Sequence, residues 1–201
     1  MIDVLRVGGV VLAAGASRRM GRNKMLEELD GEPLARRAAR RAVTAGLSPV
    51  VVVVGRDASR VREALADLAV AVEENPDFTG PTSGSLHRGL GCLPADVAGA
   101  VVVLGDMVNV TDRMLGALAK TARRTGAPLI SSRYDDVVAP PLFLRRELFD
   151  DIRTLTGEGV CKALVSRYRN RTVFVDWPAS CLADVDTPED LERVAQAARE
   201  C

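Results

Sequence analysis

The chain contains one histidine, His87, and nowhere a Gly-x-Ser-x-Gly turn. A Ser-His-Asp hydrolase would have to use that histidine with no nucleophile elbow to present a serine to it, so this class is excluded. Paired cysteines are also missing. Cys92, Cys161, Cys181 and Cys201 lie far apart and form no Cys-x-x-Cys, which fits neither a zinc site nor a small disulfide scaffold and leaves thiols that act as small apolar residues. Charge of one sign is not in excess: Lys+Arg and Asp+Glu are both 27, for a formal net charge of +0. No global field recruits nucleic acid, and any anion site must be local. No apolar run approaches the ~20 residues of a membrane helix. The first residues lack the charged head, apolar core and cleavage site of a signal peptide. The expectation is a cytoplasmic protein with neither nucleic acid nor membrane as partner.

What is present is globular. With 201 residues, 47% hydrophobic and 27% charged, the chain is expected to form one domain, residues 1–201, with a proper core. The stretch Val10 to Lys24, VVLAAGASRRMGRNK, organises the rest. An apolar run empties into small residues and then into Arg18, Arg19 and Lys24. Gly15 and Gly21 would let the backbone take positive φ and approach a ligand closely, so that N–H groups converge on an anion while the cations balance its charge. The other reading is an ordinary glycine-containing strand-to-helix loop with solvated arginines.

Strand and helix signals alternate along the chain. Pro33 to Leu47 reads as a helix with Pro33 in the first turn and Gly46 as its stop. Pro49 to Val54 has the β-branched run of a parallel strand covered on both sides. A helix follows from Asp57 to about Leu68, then a short strand from Ala69 to Val72. Glu74 to Ser85 is rich in turn formers and reads as a functional loop leading into a helix from Ser85 to Leu93. Ala100 to Leu104 is a second apolar strand ending at Gly105-Asp106, and a helix from Thr111 to Arg124 takes Thr111 as N-cap. Pro128 to Ser131 is a candidate buried strand. Val137 to Leu144 contains Pro140-Pro141, which favours an edge or a pocket-lining loop. Arg145 to Leu155 and Gly159 to Tyr168 read as helices and Thr172 to Asp176 as a strand. Thr187-Pro188-Glu189-Asp190 opens the last helix with a capping pattern.

This alternation predicts an α/β/α sandwich with a mostly parallel sheet, whose ligands collect beyond the carboxyl ends of the strands at a switch in strand order. Three polar sites belong at that edge: the Gly15 loop, Asp106, and the Asp184-Val185-Asp186 turn. Cations to hold a triphosphate and two carboxylates to hold Mg²⁺ are the parts of an in-line displacement at phosphorus, for which no protein nucleophile is required.

Leu12 to Lys24, LAAGASRRMGRNK, resembles the LAAGxSxRMGxxK signature of the MobA-like nucleotidyltransferases, and within them the molybdenum cofactor cytidylyltransferase branch. The resemblance continues through VVVLGDM, TSGSLHRGL, an LxGExG-like turn near Thr156 to Gly159, and DVDTPEDL. It implies a Rossmann-like mixed sheet and Mg²⁺-dependent transfer of a nucleoside monophosphate from its triphosphate to a phosphorylated acceptor, with release of pyrophosphate. By position, Leu12, Ala13, Ala14, Gly15 and Ser17 would hold the nucleotide, and Arg19 and Lys24 would neutralise its phosphates. Asp106 would bind the metal, joined by Asp186 or, alternatively, Asp184. The catalytic work would fall to Arg19, Lys24 and Asp106, while Ser85 would contact the base or the acceptor. Arg18 falls at a variable position of the signature. Guanylyltransferases of the family tend to carry LAGG and GxDK where this chain has Ala14 and Asn23, which points to CTP. The acceptor implied is molybdopterin, with a molybdoenzyme as partner. Val108 in place of a proline, Ala139-Pro140-Pro141 in place of a GHP-like element, and Asn109 and Arg145 nearby also allow a sugar or polyol phosphate, or a nucleotide-binding cofactor chaperone without chemistry.

Overall fold

The computed structural model describes residues 5–199; Cys201 lies outside them. Its centre is a seven-stranded sheet. The strands are β1 (Val7–Ala13), β4 (Val50–Val54), β5 (Val70–Glu74), β6 (Gly99–Leu104), β7 (Leu129–Tyr134), β8 (Val137–Arg145) and β9 (Thr172–Trp177), ordered β5-β4-β1-β6-β8-β7-β9. A separate small hairpin joins β2 (Glu28–Leu29) to β3 (Glu32–Pro33). Every sheet pairing is parallel except those of β8, which runs antiparallel between β6 and β7.

The pleat sorts alternate residues of the central strands to opposite faces. Val11, Val52 and Val101 face α1 (Leu34–Thr44), α2 (Ala58–Ala64) and α4 (Asp112–Thr125). Val10, Val51 and Val102 face α3 (Thr82–Gly91), α5 (Phe149–Arg153) and α6 (Val160–Arg167). Three layers result, with the all-valine β4 buried on both sides. α7 (Pro188–Arg199) packs in a third, smaller cluster with Met20, Leu29, Leu34, Val108 and Val185. That cluster lies beneath the loops at the carboxyl edge of the sheet.

Local signals hold where the chain caps itself. Thr111 Oγ1 accepts from the Met114 amide at 3.2 Å. Thr187 and Asp190 form a reciprocal box, Asp190 Oδ2 accepting from the Thr187 amide at 3.0 Å and Thr187 Oγ1 from the Asp190 amide at 3.2 Å. Other boundaries shift. α2 stops at Ala64, where tightened bonds from Leu65 to Arg62 and from Ala66 to Glu63 end it. α3 begins three residues before the expected Ser85, because Glu158, far away in sequence, supplies its N-terminal acceptor.

The largest correction concerns β8. It is an interior strand and not the edge or loop that Pro140-Pro141 favours, although Pro140 does line a hollow. β6 pairs only with Leu142 to Arg145, and β7 shifts register between Ser131, opposite Leu142, and Ser132, opposite Ala139. Both prolines therefore fall in a bulge where no ladder donor is needed. Tyr134 closes the gap by donating its hydroxyl to the Pro140 carbonyl at 2.9 Å.

Candidate active site

The chain leaves β1 toward β4 on one side of the sheet and leaves β6 toward β7 on the other, so the switch in strand order lies between β1 and β6. The Gly15 loop follows β1 and Asp106 follows β6 at that point. Lys24 stands at the end of the loop with only 10% of its side chain exposed; its Nζ lies 2.5 Å from Asp106 Oδ2 and 2.7 Å from Asp186 Oδ1. Arg19, largely exposed, reaches the other oxygen of Asp186 at 2.7 Å. Burial pulls the Lys24 ammonium down, but the charges and hydrogen bonds of Asp106 and Asp186 outweigh it and leave its pKa above the usual lysine value. Asp184 is pushed up to about 6, first by desolvation and then by the neighbouring charges of Asp106 and Asp186.

The loop achieves its shape differently from the sequence expectation. Gly21 does take positive φ (73°), but Gly15 does not; Ser17 takes that conformation instead, at 52°. Its Oγ accepts from the Lys24 amide at 3.1 Å, so the Ser17 side chain latches the loop shut. At Gly15 an added Cβ would meet nothing within 4 Å. The glycine leaves open space beside the loop and does not supply left-handed backbone. Asn23 is fully engaged, its Oδ1 accepting from the Met25 amide and its Nδ2 donating to the Arg56 carbonyl.

Three adjoining hollows meet here. One of about 220 Å³ is lined by Leu12, Ala14, Gly15, Phe78, Ser85 and Asp106. A second, of about 360 Å³, is lined by Ser17, Arg18, Arg19, Lys24, Thr79 and Asp186. The third, of about 260 Å³, has a floor of Leu12, Leu86, Leu104, Pro140 and Leu142 and a rim of Glu158 and Lys162. Thr82 borders all three. Its hydroxyl donates to Glu158 Oε2 at 2.6 Å and its amide to Oε1 at 3.3 Å. Ser85 Oγ accepts from Asn75 Nδ2 at 3.0 Å, and the Ala13 side chain packs into the core. Phe78 was not anticipated from the sequence. It covers Gly55 so closely that a Cβ there would lie 2.3 Å from its own Cβ, and the glycine after β4 was the only signal. Glu158 lies within the LxGExG-like turn, but its role at α3 depends on a contact that no local pattern shows.

Several residues expected near the acceptor are elsewhere. Val108 is 3% exposed among Met20, Leu29, Leu34 and Val185. Asn109 donates to the Ser180 carbonyl, and Arg145 is directed at the Ala122 carbonyl. Only Ala139 and Pro140 of that set line the third hollow. His87 bonds the Ile152 carbonyl and serves the α3–α5 contact.

The donor set suits a divalent cation. Two carboxylates converge on one positive charge, and the buried Asp106 Oδ1 has no hydrogen-bond partner. No group of three or more potential ligands from His, Cys, Asp and Glu occurs among the described residues. Two carboxylates are the complement expected of Mg²⁺, which keeps water and substrate phosphate as its other ligands.

A glycine-containing loop with two cations and a pair of carboxylates thus stands at the switch point of the sheet, the arrangement expected of a nucleotidyltransferase. The chain matches the MobA-like NTP transferase domain over residues 9–172 and belongs to that family. It is 31% identical to a molybdenum cofactor guanylyltransferase of Methylibium petroleiphilum, over 96% of this chain and 98% of the relative. It is 29% identical to the purine catabolism protein PucB of Bacillus subtilis, over 94% and 96%. Among solved structures, Rv0371c of Mycobacterium tuberculosis in complex with manganese superimposes with a TM-score of 0.80 at 26% identity, covering 96% of this chain and 99% of that one. None of the described helices is long and apolar enough to cross a membrane.

Proposed function

We propose that the protein is a cytoplasmic enzyme that transfers CMP from CTP to molybdopterin or a similar phosphorylated cofactor, releasing pyrophosphate. The observation that carries this reading is the Lys24 ammonium held between Asp106 and Asp186 at the end of β1. In this reading the nucleoside occupies the hollow beside Leu12, Ala14 and Ser85, with Gly15 leaving room for it. The Ala13 to Ser17 backbone holds the phosphates, and Arg19 and Lys24 balance their charge from two sides. Asp106 and Asp186 hold Mg²⁺; Asp186 is preferred to Asp184 because it is the one that shares a cation with Asp106. The metal supplies charge neutralisation on the phosphate oxygens. Lys24, already charged and nearly desolvated, exchanges its two carboxylates for the triphosphate oxygens and balances the negative charge that moves toward the leaving pyrophosphate. The acceptor phosphate enters from the apolar hollow past Glu158 and Thr82, a reading supported by Thr82 bordering all three hollows.

CTP in place of GTP rests on Ala14 and Asn23 in the first motif. Since Asn23 is bonded inward, the base is discriminated by the walls at Ala14, Phe78 and Ser85. The deciding experiment is pyrophosphate release with CTP, GTP or ATP, Mg²⁺ or Mn²⁺, and molybdopterin or sugar phosphates as acceptors. Turnover with CTP and molybdopterin is expected. Preference for GTP would replace the nucleotide, preference for a sugar phosphate the acceptor, and no turnover with any pair would defeat the enzymatic reading. The molybdoenzyme that receives the product is the expected protein partner.

A further inference from the structure

Beyond the acceptor hollow lies a second cleft of about 410 Å³ between the β7–β8 hairpin and α6. The two cavities adjoin, with Val138, Lys162 and Val165 as their common border. Their chemistry differs. The inner one is walled by aliphatic side chains, and Thr82, Ser131, Glu158 and Lys162 are its main polar groups. The outer one brings Arg133, Lys162 and Arg169 around Phe174, with Asp136 as its carboxylate.

These cations are not equivalent. Arg133 is neutralised by a two-pronged bridge to Asp176, at 2.6 and 3.1 Å, and lies over the Phe174 ring at 5.2 Å, forming a flat wall. Lys162 and Arg169 are exposed and form no ion pair among the described residues. Two free cations against one carboxylate leave the cleft positive on the border it shares with the aliphatic hollow. A hydroxyl-rich acceptor would strand its polar groups on the aliphatic floor, and each unpartnered group costs binding free energy.

Resting on the proposed function, we infer that the acceptor is a two-ended molecule: a reacting phosphate, a flat or apolar middle in the inner hollow, and a second anionic group held by Lys162 and Arg169. Both residues are thus specificity determinants for the acceptor and are not part of the nucleotide site. Neither is needed for the fold, since both side chains are exposed.

The test is calorimetric titration of the full chain with three probes: phenyl phosphate, 3-(4-phosphonooxyphenyl)propanoate, which adds a carboxylate on a two-carbon tail, and glucose 1-phosphate. CTP and GTP with Mg²⁺ are titrated separately to report the nucleotide site. The carboxylate-tailed probe should bind about tenfold tighter than phenyl phosphate, the scale of one charge-assisted hydrogen bond. Glucose 1-phosphate should bind weakest. In the Lys162→Ala/Arg169→Ala variant that advantage should vanish while nucleotide binding stays within about twofold. Lys162→Glu should reverse the preference. Equal binding of the two aryl phosphates, an advantage that survives in the double variant, or no aryl phosphate binding by a protein that binds nucleotide would overturn the inference. Failure to bind any nucleotide would instead overturn the proposed function, and this extension with it.

Discussion

The Val185 amide donates to the Asp106 carbonyl at 3.2 Å. Together with the Val108 amide on the Ala183 carbonyl and the bridge between Met107 and Asp184, this bond makes a short antiparallel ladder of residues 106–108 and 183–185. The two carboxylate loops, some eighty residues apart in sequence, are therefore one rigid piece. Lys24 completes it from the third side.

Asp106→Asn keeps the ladder, which is built from backbone, and removes the charge. Turnover should fall at least hundredfold, as expected for loss of metal-borne stabilisation in the transition state, with nucleotide binding little changed. Steady-state kinetics beside calorimetric nucleotide titration check it. Unchanged turnover would remove Asp106 from the chemistry.

Lys24→Met strips Asp106 of its cation and leaves Asp186 with Arg19 alone. Affinity for the triphosphate should drop at least tenfold, while affinity for the free nucleoside changes by less than about twofold. Titration with the triphosphate and the nucleoside separates the two. Equal losses would mean that Lys24 shapes the pocket and does not hold phosphate.

Much of this site is legible in the sequence. β1 and β6 are valine-rich runs with nowhere to go but the centre of a sheet, and small or acidic residues mark their ends. The caps at Thr111 and Thr187 depend on neighbours three residues away and are equally readable. What escaped depends on distant contacts. β8 looks like an edge because the bulge that accommodates Pro140 and Pro141 is created by the register of β7. The start of α3 depends on Glu158, and the positive φ passed from Gly15 to Ser17 because Ser17 has a bond to make with Lys24. Val108 breaks the family pattern at a place buried in the third cluster, so it does not bear on the acceptor.

Arg41 shows how much support the ladder has. From α1 its Nη1 donates to the carbonyls of Val108 and Val110 at 2.7 and 2.5 Å. Burial and then the charges of Arg37 and Arg40 lower its pKa to about 10, still high enough to keep it charged at neutral pH. Arg41→Met strips both bonds and should cost about 2–4 kcal/mol, or roughly 5–15 °C in Tm. Turnover should fall with little change in nucleotide KM, because Asp106 loses its support. Arg41→Lys should recover part of both. Melting curves and kinetics for the two variants test this, and a fall in Tm alone would confine Arg41 to stability.

Acid should loosen the opposite end of α1. Asp67, bonded first of all to the Arg36 guanidinium, has its pKa lowered from 3.8 to about 2. A carboxylate with a depressed folded pKa contributes stability that is present above the ordinary value and lost as pH falls through the folded one. The Tm difference between wild type and Asp67→Asn should therefore be constant above about pH 4 and shrink toward pH 2. The pair is solvent-exposed, so 1 M salt should diminish the difference. A difference that grows on acidification would contradict the assignment.

Gly15→Ala separates the fold from the function most cleanly. The backbone at Gly15 is not left-handed, and a methyl group there would touch nothing within 4 Å. Stability should therefore change by no more than about 0.5 kcal/mol. If the nucleotide lies against the loop as proposed, the same methyl enters the space it needs, and triphosphate affinity should fall at least tenfold. A variant with wild-type Tm and weakened nucleotide binding is the expected result. The comparison with Gly55→Ala sharpens it: there the methyl collides with Phe78 and the Ala14 carbonyl, so Tm and binding should fall together. Wild-type affinity in Gly15→Ala would mean that the nucleotide approaches from elsewhere, and the phosphate-loop reading of Val10 to Lys24 would fail.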